Sequence, residues 1–518
     1  MNIPRRVLAL ISLSAFWFMT QWGWATQSGV GSRGQAVPTL RLTEGSQTVK
    51  GINLAGARNE YVFSPVWLAG ASPSLKAKCE NAPRGLECKV FRVVAVPPAS
   101  AGEFPPDGLL LLDDGGIDPA PGPQLLWISF KICPDLLPGS YPFTLAISHG
   151  GGNIRLPVDL KVFRFTLPED LPITIFGGLW HQPKVWSRYA KNDSQKEIRI
   201  IQNYYQSLRE YKFNALGGSY PLPLEQIQPG HKIEDFSEYH ELLRCALHDV
   251  KFRYFQIPTL KNWKSVDHHD SPFSRQARIF YPLYNAYLKR HGWEQKALNY
   301  LVDEPPPEQH GAVVQAFSLA KSLAPGIRTL SAGWRPSPEF TRVIDIWAHQ
   351  ASRYREDERE RGNLQGQEAW LYANRLHGIE HPLSHQRLVG WLLYRYQFSG
   401  YLLWGVNYWP DDPWTTSPGP KDFYRRGTFY YPHPRTGLPM PTTRLEALRR
   451  GFQDYQYFLL LDQARRRGLI AKEQEAQIFT KIQRVTQDLP KNSYPVSMAE
   501  LESLRLQIGE LLNDTEGL

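Results

Sequence analysis

The sequence has little sulfur and, after its first residues, no long hydrophobic run. It contains four cysteines and four methionines among 518 residues, and no cysteine spacing resembles a zinc or redox motif. No later segment is apolar for long enough to cross a bilayer. Residues 267–270 group carboxylates with histidines, but they lack the helical spacing of metal ligands and are interpreted as a polar loop. No metal or cofactor is therefore predicted.

Positive charge is in modest excess and is scattered along the chain. Lysine and arginine number 59 against 50 acidic residues, which gives a net charge of +9. No basic stripe is interleaved with aromatic residues, so nothing supports nucleic-acid binding. A basic surface would suit anionic glycans, although solubility alone explains it as well.

The first 25 residues have the three parts of a secretory signal peptide. Arg5 and Arg6 precede an apolar run that ends at Met19, and Gly23 and Ala25 suit a cleavage site. An uncleaved anchor is the alternative, although the run is short for a membrane span. Cleavage is favoured, so we expect a secreted or periplasmic protein without stable membrane insertion.

Short alternating runs separated by Gly, Pro and Asp fill residues 39–166. This spacing is typical of a β-sandwich, which we place at residues 26–167. Cys79 and Cys88 flank a turn between two runs, where a disulfide could form in an oxidising compartment. Cys133 and Cys245 lie in apolar contexts that are typical of buried thiols.

Apolar runs alternate with helical patterns after Pro172, as a βαβ succession requires. Eight runs begin at residues 173, 214, 254, 298, 328, 344, 369 and 400. Eight units in about 240 residues have the size of a closed TIM-type (β/α)8 barrel. We predict this barrel over residues 168–440 in preference to a doubly wound sheet, since no Gly-rich dinucleotide turn follows the first run.

The rest of the chain, residues 441–518, is predicted to be helical and to pack beside the barrel. It begins with a long segment that is expected to form an amphipathic helix. The fold class is therefore multidomain β plus α/β: a sandwich, a barrel and a C-terminal helical region.

The fourth barrel run ends in Asp303 and Glu304, followed by three prolines. Active sites of β/α barrels form at the carboxyl ends of the strands, so this pair is the candidate catalytic centre. Adjacent carboxylates repel each other and raise one pKa, which suits a general acid near neutral pH. Pro305 disfavours the α region for Glu304 and is expected to keep the strand end extended. The alternative is that Asp303 caps the next helix and that Glu304 is solvated.

A second carboxylate partner is missing where a two-carboxylate retaining glycosidase would carry it. The seventh run ends in Tyr372-Ala373-Asn374, whereas such an enzyme needs a nucleophile about 5 Å from the acid. Neighbouring Asp and Glu suit substrate-assisted catalysis better. Aromatic and amide residues at the other strand ends form a predicted sugar cleft: Trp180, His181, Trp334, His349, Tyr372, Asn374, Trp404, Asn407 and Trp409.

Several stretches resemble glycoside hydrolase family 123, the β-N-acetylgalactosaminidases, and its relatives that share the catalytic domain. The likeness covers the Asp303-Glu304-Pro305 strand end, Ala57-Arg58-Asn59-Glu60, residues 369–409, and a last-helix motif of Arg444, Leu448, Arg449, Gly451, Asp454 and Tyr455. Arg450 and Gln453 depart from the acidic residues expected in that helix, a difference that we attribute to packing. The loop 375–381 lacks the Pro- and Asn-rich sequence of relatives.

The resemblance implies a secreted, retaining hydrolase of a β-linked N-acetylhexosamine, with N-acetylgalactosamine favoured. It implies that Asp303 positions the substrate's acetamido group and that Glu304 is the general acid/base. The partner is then a glycan. The alternatives are a glycosidase that acts on another sugar through Glu304, or a non-catalytic carbohydrate-binding envelope protein.

Overall fold

The computed structural model describes residues 40–42, 51–68, 75–96, 107–112, 124–149, 152–218, 221–266, 270–414, 426–487 and 495–515. The predicted signal peptide and residues 267–269 of the polar loop lie outside these ranges. No described helix has the length and apolar character of a membrane span. The predicted domain boundaries remain predictions.

Two β-sheets precede the barrel. Their strands are β1 (Leu40–Leu42), β2 (Ile52–Arg58), β3 (Glu60–Leu68), β4 (Lys76–Glu80), β5 (Leu86–Val94), β6 (Gly108–Leu111), β7 (Gln124–Ile132), β8 (Gly139–His149) and β9 (Gly152–Thr166). One sheet has the order β1-β3-β7-β5-β6 and the other β2-β9-β8-β4. Alternate residues of both sheets, such as Val66, Ile128, Leu145 and Val158, belong to one hydrophobic core. The term sandwich remains our interpretation of this pair of sheets.

Three of the four cysteines are placed as expected, whereas Cys133, expected to be buried, is only half-buried. Cys79 of β4 and Cys88 of β5 form a disulfide. Cys133 is a half-buried thiol after β7, and Cys245 is a buried thiol of the barrel region. The disulfide therefore links one strand of each sheet.

Eight parallel strands close into the predicted barrel. They are β10 (Thr174–Gly178), β11 (Ala215–Gly217), β12 (Tyr254–Gln256), β13 (Ala297–Asp303), β14 (Arg328–Gly333), β15 (Ile346–Gln350), β16 (Glu368–Tyr372) and β17 (Gly400–Leu403). Closure occurs where β10 pairs with β17. Side chains such as Phe176, Leu298, Leu330, Ile346 and Trp370 fill the interior. The barrel prediction is confirmed, with all eight strands in the predicted order.

Helices surround the barrel and continue beyond it. They are α1 (Pro183–Ala190), α2 (Ser194–Glu210), α3 (Ser237–Arg244), α4 (Pro272–His291), α5 (His310–Leu323), α6 (Glu356–Leu364), α7 (Leu383–Arg395), α8 (Thr443–Arg466), α9 (Lys472–Thr486) and α10 (Met498–Asn513). A hairpin of β18 (Tyr430–Pro432) and β19 (Pro439–Pro441) precedes α8. The predicted C-terminal helices are therefore present as α8 to α10.

The long helix α8 is buried all round rather than amphipathic. Every residue from 442 to 458 is buried, so the sequence-based prediction of one polar face was wrong. Gly451 of α8 and Gly390 of α7 bring the two helices into backbone contact, because a Cβ on Gly390 would lie 1.8 Å from the Gly451 carbonyl oxygen. Polar residues of α8 are paired inside the protein instead of facing water.

Arginine–carboxylate pairs join α8 to the N-terminal sheets. Glu60 at the start of β3 accepts hydrogen bonds from the Ala57 amide at 2.6 Å, Tyr457 at 2.7 Å and Arg450 at 2.5 Å. The side chain of Arg505 from α10 lies 3.5 Å from the same carboxylate. Glu60 is fully buried, so its charge depends on these partners. Arg450, which departs from the expected helix motif, is therefore an ion-pair partner that joins α8 to β3.

A second pair connects the loop before β6 to the barrel loops. Asp107 accepts from Arg444 Nε at 3.0 Å and Nη2 at 2.8 Å. Arg444 also donates to the His377 carbonyl oxygen at 2.8 Å and to the Thr428 carbonyl oxygen at 2.5 Å. His377 follows β16 and Thr428 follows β17, so one guanidinium ties the N-terminal region to two loops at the carboxyl end of the barrel.

Replacing Asp107 with alanine is expected to lower the free energy of unfolding by about 3–5 kcal/mol, because Arg444 would remain buried without its carboxylate. Urea unfolding followed by tryptophan fluorescence measures this change. The matched control is Glu510→Ala, which removes the partner of Lys161 from a half-exposed pair and is expected to cost less than about 1 kcal/mol. Equal effects of the two substitutions would contradict the structural role of the buried pair.

Candidate active site

The candidate carboxylates lie at the carboxyl end of β13, where a register shift alters the alternation of side chains. The pairing of β13 with β14 shifts between Tyr300 and Val302. Tyr300 packs with the barrel interior, whereas Leu301 and Val302 both pack with the outer hydrophobic core. A regular strand would place residues 300 and 303 on opposite faces. The extra residue brings Tyr300 and Asp303 to the same side.

Tyr300 holds Asp303. Its phenol donates a hydrogen bond to Asp303 Oδ1 at 2.6 Å. The carboxylate keeps solvent-accessible surface at the barrel mouth, yet the surrounding wall removes much of its hydration. This desolvation raises the pKa of Asp303, and the hydrogen bond from Tyr300 opposes the rise. One carboxylate oxygen is thus fixed by the protein.

Glu304 leaves the strand in an unusual backbone conformation. Its φ is 42°, in the left-handed region that is uncommon for a glutamate, and its amide donates to the Ala332 carbonyl oxygen at 3.0 Å. The expectation that Pro305 keeps this residue extended was wrong, because β13 ends at Asp303. Such strain is often stored at functional sites.

The side chain of Glu304 approaches the phenol of Tyr372 at the end of β16. Desolvation raises the pKa of Glu304, the negative charge of Asp303 raises it further, and the Tyr372 phenol lowers it. A carboxyl group that keeps its proton at higher pH is suited to act as a general acid. Each of the two carboxylates therefore has its own neighbouring tyrosine.

Indole and amide groups from β10, β16 and β17 form one connected wall of the mouth. Trp404 donates through Nε1 to Asn374 Oδ1 at 2.9 Å, and Trp180 donates through Nε1 to the Trp404 carbonyl oxygen at 2.9 Å. Tyr408 packs edge to face against both indole rings. These contacts bring Trp180, Asn374 and Trp404 together at the barrel mouth, and their contact with a sugar remains a prediction.

Two predicted sugar contacts have other partners. His349 is buried on the outer side of β15 against Tyr354 and Phe398, and burial lowers its pKa to about 3. Trp409 is buried and donates to the Tyr430 carbonyl oxygen at 2.6 Å. These two positions argue against contact with a substrate. His349 faces outward because only every second side chain of a strand points to the barrel interior.

Asn407 and His181 are also engaged within the protein. Asn407 is fully buried; its side chain accepts from the Trp180 amide at 2.8 Å and donates to the Trp180 carbonyl oxygen at 2.8 Å. Asn407 thus supports the backbone of Trp180 rather than facing a ligand. His181 Nε2 lies 3.2 Å from Glu197 Oε1 of α2, so this histidine joins the mouth to a barrel helix.

Comparison with known proteins identifies the barrel. The family model "Glycoside hydrolase 123, catalytic domain" matches residues 231–461, which include both carboxylates. A solved family 123 glycoside hydrolase from Clostridium perfringens, described for glycolipid glycan hydrolysis, superposes with a TM-score of 0.64 over 89% of this chain and 92% of that one, at 13% identity. Residues 231–461 are therefore assigned to the glycoside hydrolase family 123 catalytic domain.

Other solved structures are similar only in part. An endo-β-1,4-mannanase from Thermotoga petrophila has a TM-score of 0.36 at 10% identity, with 56% of this chain and 77% of that one covered. A β-D-glucuronidase from Dictyoglomus thermophilum has a TM-score of 0.34 at 10% identity, with 74% and 69% covered. No protein with a curated description matches the sequence. The match to this catalytic domain supports a glycosidase that acts on a glycan.

Tyr300 is a residue of the candidate site that the sequence analysis missed. It lies three positions before Asp303, and strict alternation placed it on the opposite face. A tyrosine in an otherwise apolar strand is a signal, since a buried phenol needs a partner. Among the described residues, no group of three or more His, Cys, Asp or Glu could hold a metal ion.

We expect Asn407→Ala to lower the free energy of unfolding by about 1–3 kcal/mol, because it leaves two buried backbone groups of Trp180 unpaired. Trp180→Ala is the matched control: it keeps those backbone bonds and removes a side chain that is 42% exposed, so the change should be smaller. Chemical denaturation measures both. An Asn407→Ala protein of wild-type stability but raised KM would show instead that Asn407 binds the sugar.

Proposed function

We propose that this protein is a retaining hydrolase of β-linked N-acetylhexosamine that uses the substrate's own acetamido group, with N-acetylgalactosamine preferred. The observation that carries the proposal is the adjacent pair of carboxylates at the end of β13, with Asp303 held by Tyr300 and Glu304 beside Tyr372. Among the residues that end the eight barrel strands, only β13 supplies carboxylates. The other strand ends therefore offer no carboxylate nucleophile, and the acetamido group of the substrate takes that role.

The first step opens the glycosidic bond. Asp303, fixed at Oδ1 by Tyr300, accepts a hydrogen bond from the acetamido N–H through its other oxygen and stabilises the positive charge that develops there. The acetamido carbonyl oxygen bonds to the anomeric carbon as the bond to the leaving oxygen breaks. Glu304 gives its proton to that oxygen, so the aglycone departs as a neutral alcohol.

The second step releases the sugar and returns Glu304 to its protonated form. Glu304, now ionised, takes a proton from a water molecule whose oxygen attacks the anomeric carbon. The bond between this carbon and the acetamido oxygen breaks, and the acetamido group is regenerated. Two displacements at one carbon retain the β configuration. The raised pKa of Glu304 suits the proton donor of the first step.

The proposal is tested with nitrophenyl β-N-acetylgalactosaminide and β-N-acetylglucosaminide. The wild type should cleave the galacto substrate faster, and Asp303→Asn and Glu304→Gln should each lower kcat/KM by about 100-fold or more. Glu308→Gln is the matched control, since Glu308 is an exposed carboxylate near the pair and should leave the rate unchanged. A thiazoline that mimics the cyclic intermediate should inhibit the wild type.

Rapid cleavage of nitrophenyl galactoside or glucoside, which lack the acetamido group, without inhibition by the thiazoline would favour a glycosidase on another sugar. A folded wild type that binds glycans but cleaves none of these substrates would favour the non-catalytic alternative.

Removing the phenol of Tyr300 should change the pH dependence. Tyr300→Phe deletes the hydrogen bond that lowers the pKa of Asp303, so this pKa rises further above its ordinary value. Asp303 acts in its ionised form, and activity is lost as the pH falls through its pKa. The acidic limb of kcat/KM should therefore move to higher pH. Tyr254→Phe, a tyrosine of the same barrel interior, is the control; equal profiles for both variants would contradict this role.

A further inference from the structure

Two tryptophans among the described residues have exposed side chains, and both lie at the carboxyl end of the barrel. Trp180 is 42% exposed and Trp334 is 56% exposed. Trp180 follows β10 and belongs to the wall already described, whereas Trp334 follows β14. In the closed order of eight strands, β10 and β14 are separated by three strands on either side. The two indoles therefore stand on opposite sides of the mouth.

Trp334 is close in the chain to the residues that position Glu304. Ala332 pairs with Asp303 and accepts the hydrogen bond from the Glu304 amide. A Cβ on Gly333 would lie 3.6 Å from the Glu304 Cα, so the two backbones are in contact there. Trp334 is the next residue. It therefore lies at the end of the strand next to that of Glu304, opposite Trp180 in the barrel.

The ring of Trp334 is braced on one face. The guanidinium carbon of Arg353, in the turn after β15, lies 5.0 Å from the ring centroid. Such a cation–π contact orients the indole while more than half of the side chain remains open to solvent. A flat apolar surface held in this way is suited to the C–H face of a pyranose ring.

We propose that Trp334 is the platform of a binding subsite for the leaving-group sugar. This inference rests on the proposed function, in which Glu304 protonates the oxygen of the leaving group. That oxygen must lie within hydrogen-bond reach of Glu304, so the sugar attached to it extends past this residue. The wall of Trp180, Asn374 and Trp404, which includes the residue opposite Trp334, serves the N-acetylhexosamine. Trp334 then gives the site a preference for a glycan over a small aglycone.

The test compares two substrates that differ in the leaving group. One is a disaccharide in which β-N-acetylhexosamine is linked to a second hexose; the other is the β-N-acetylhexosaminyl fluoride, which has no sugar to stack. Trp334→Ala should lower kcat/KM for the disaccharide roughly 10- to 30-fold, as expected for losing one buried ring face. The fluoride should be cleaved at the wild-type rate. Trp334→Phe should restore part of the loss.

Two further variants complete the comparison. Arg353→Ala should lower the disaccharide rate less than Trp334→Ala and leave the fluoride unaffected. Phe479→Ala removes another exposed ring, 40% exposed on α9, and should change neither substrate. Parallel losses for disaccharide and fluoride in Trp334→Ala, or no loss for either, would overturn the subsite.

Failure of the proposed function gives a different result from failure of the subsite: the wild type itself would cleave neither N-acetylhexosamine substrate. The platform is then tested with the disaccharide and fluoride of the hexose that the protein does cleave, where the same selective loss is expected. A protein that cleaves neither series overturns both the function and the subsite.

Discussion

The architecture depends on buried arginine–carboxylate pairs along α8. A helix with this many charged side chains would normally present one face to water, yet its first four turns are buried. Burial is possible because the charges meet partners from other elements: Arg444 with Asp107, Arg450 with Glu60, and Asp454 with Arg387 at 2.7 Å. Removing one partner from such a pair is costly, so α8 holds the N-terminal sheets and the barrel in one arrangement.

These pairs also reach the active site. Arg444 holds the loops that follow β16 and β17, which carry Asn374 and Trp404. The Arg444 guanidinium therefore connects Asp107, just before β6, to two loops at the carboxyl end of the barrel. The N-terminal sheets contribute no catalytic side chain to the proposed mechanism. Within the mouth, each of the proposed catalytic carboxylates lies beside its own phenol, and Glu304 has a strained backbone.

Much of the fold could be predicted because the periodicity of apolar residues and the order of strands and helices can be recognised in the sequence. Eight apolar runs separated by helical patterns specified the barrel and located Asp303 and Glu304 at a strand end. Alternation was the weak point: it missed Tyr300 because one extra residue in β13 reverses the facing of the residues after it, and it included His349, which points outward. Ion pairs between residues far apart in the chain could not be predicted either. Arg450, which departs from the expected helix motif, was therefore attributed to packing in general, and its partner Glu60 was not identified.

Participation of the acetamido group is the central claim, and its most direct test is a series of substrates with N-acetyl, N-fluoroacetyl, N-difluoroacetyl and N-trifluoroacetyl groups. Fluorine withdraws electrons from the carbonyl oxygen, so an oxygen that attacks the anomeric carbon becomes a weaker nucleophile with each substitution. Participation predicts a steep, progressive fall in kcat/KM along the series. A flat series, with all four substrates cleaved at similar rates, would contradict it and require a nucleophile supplied by the protein.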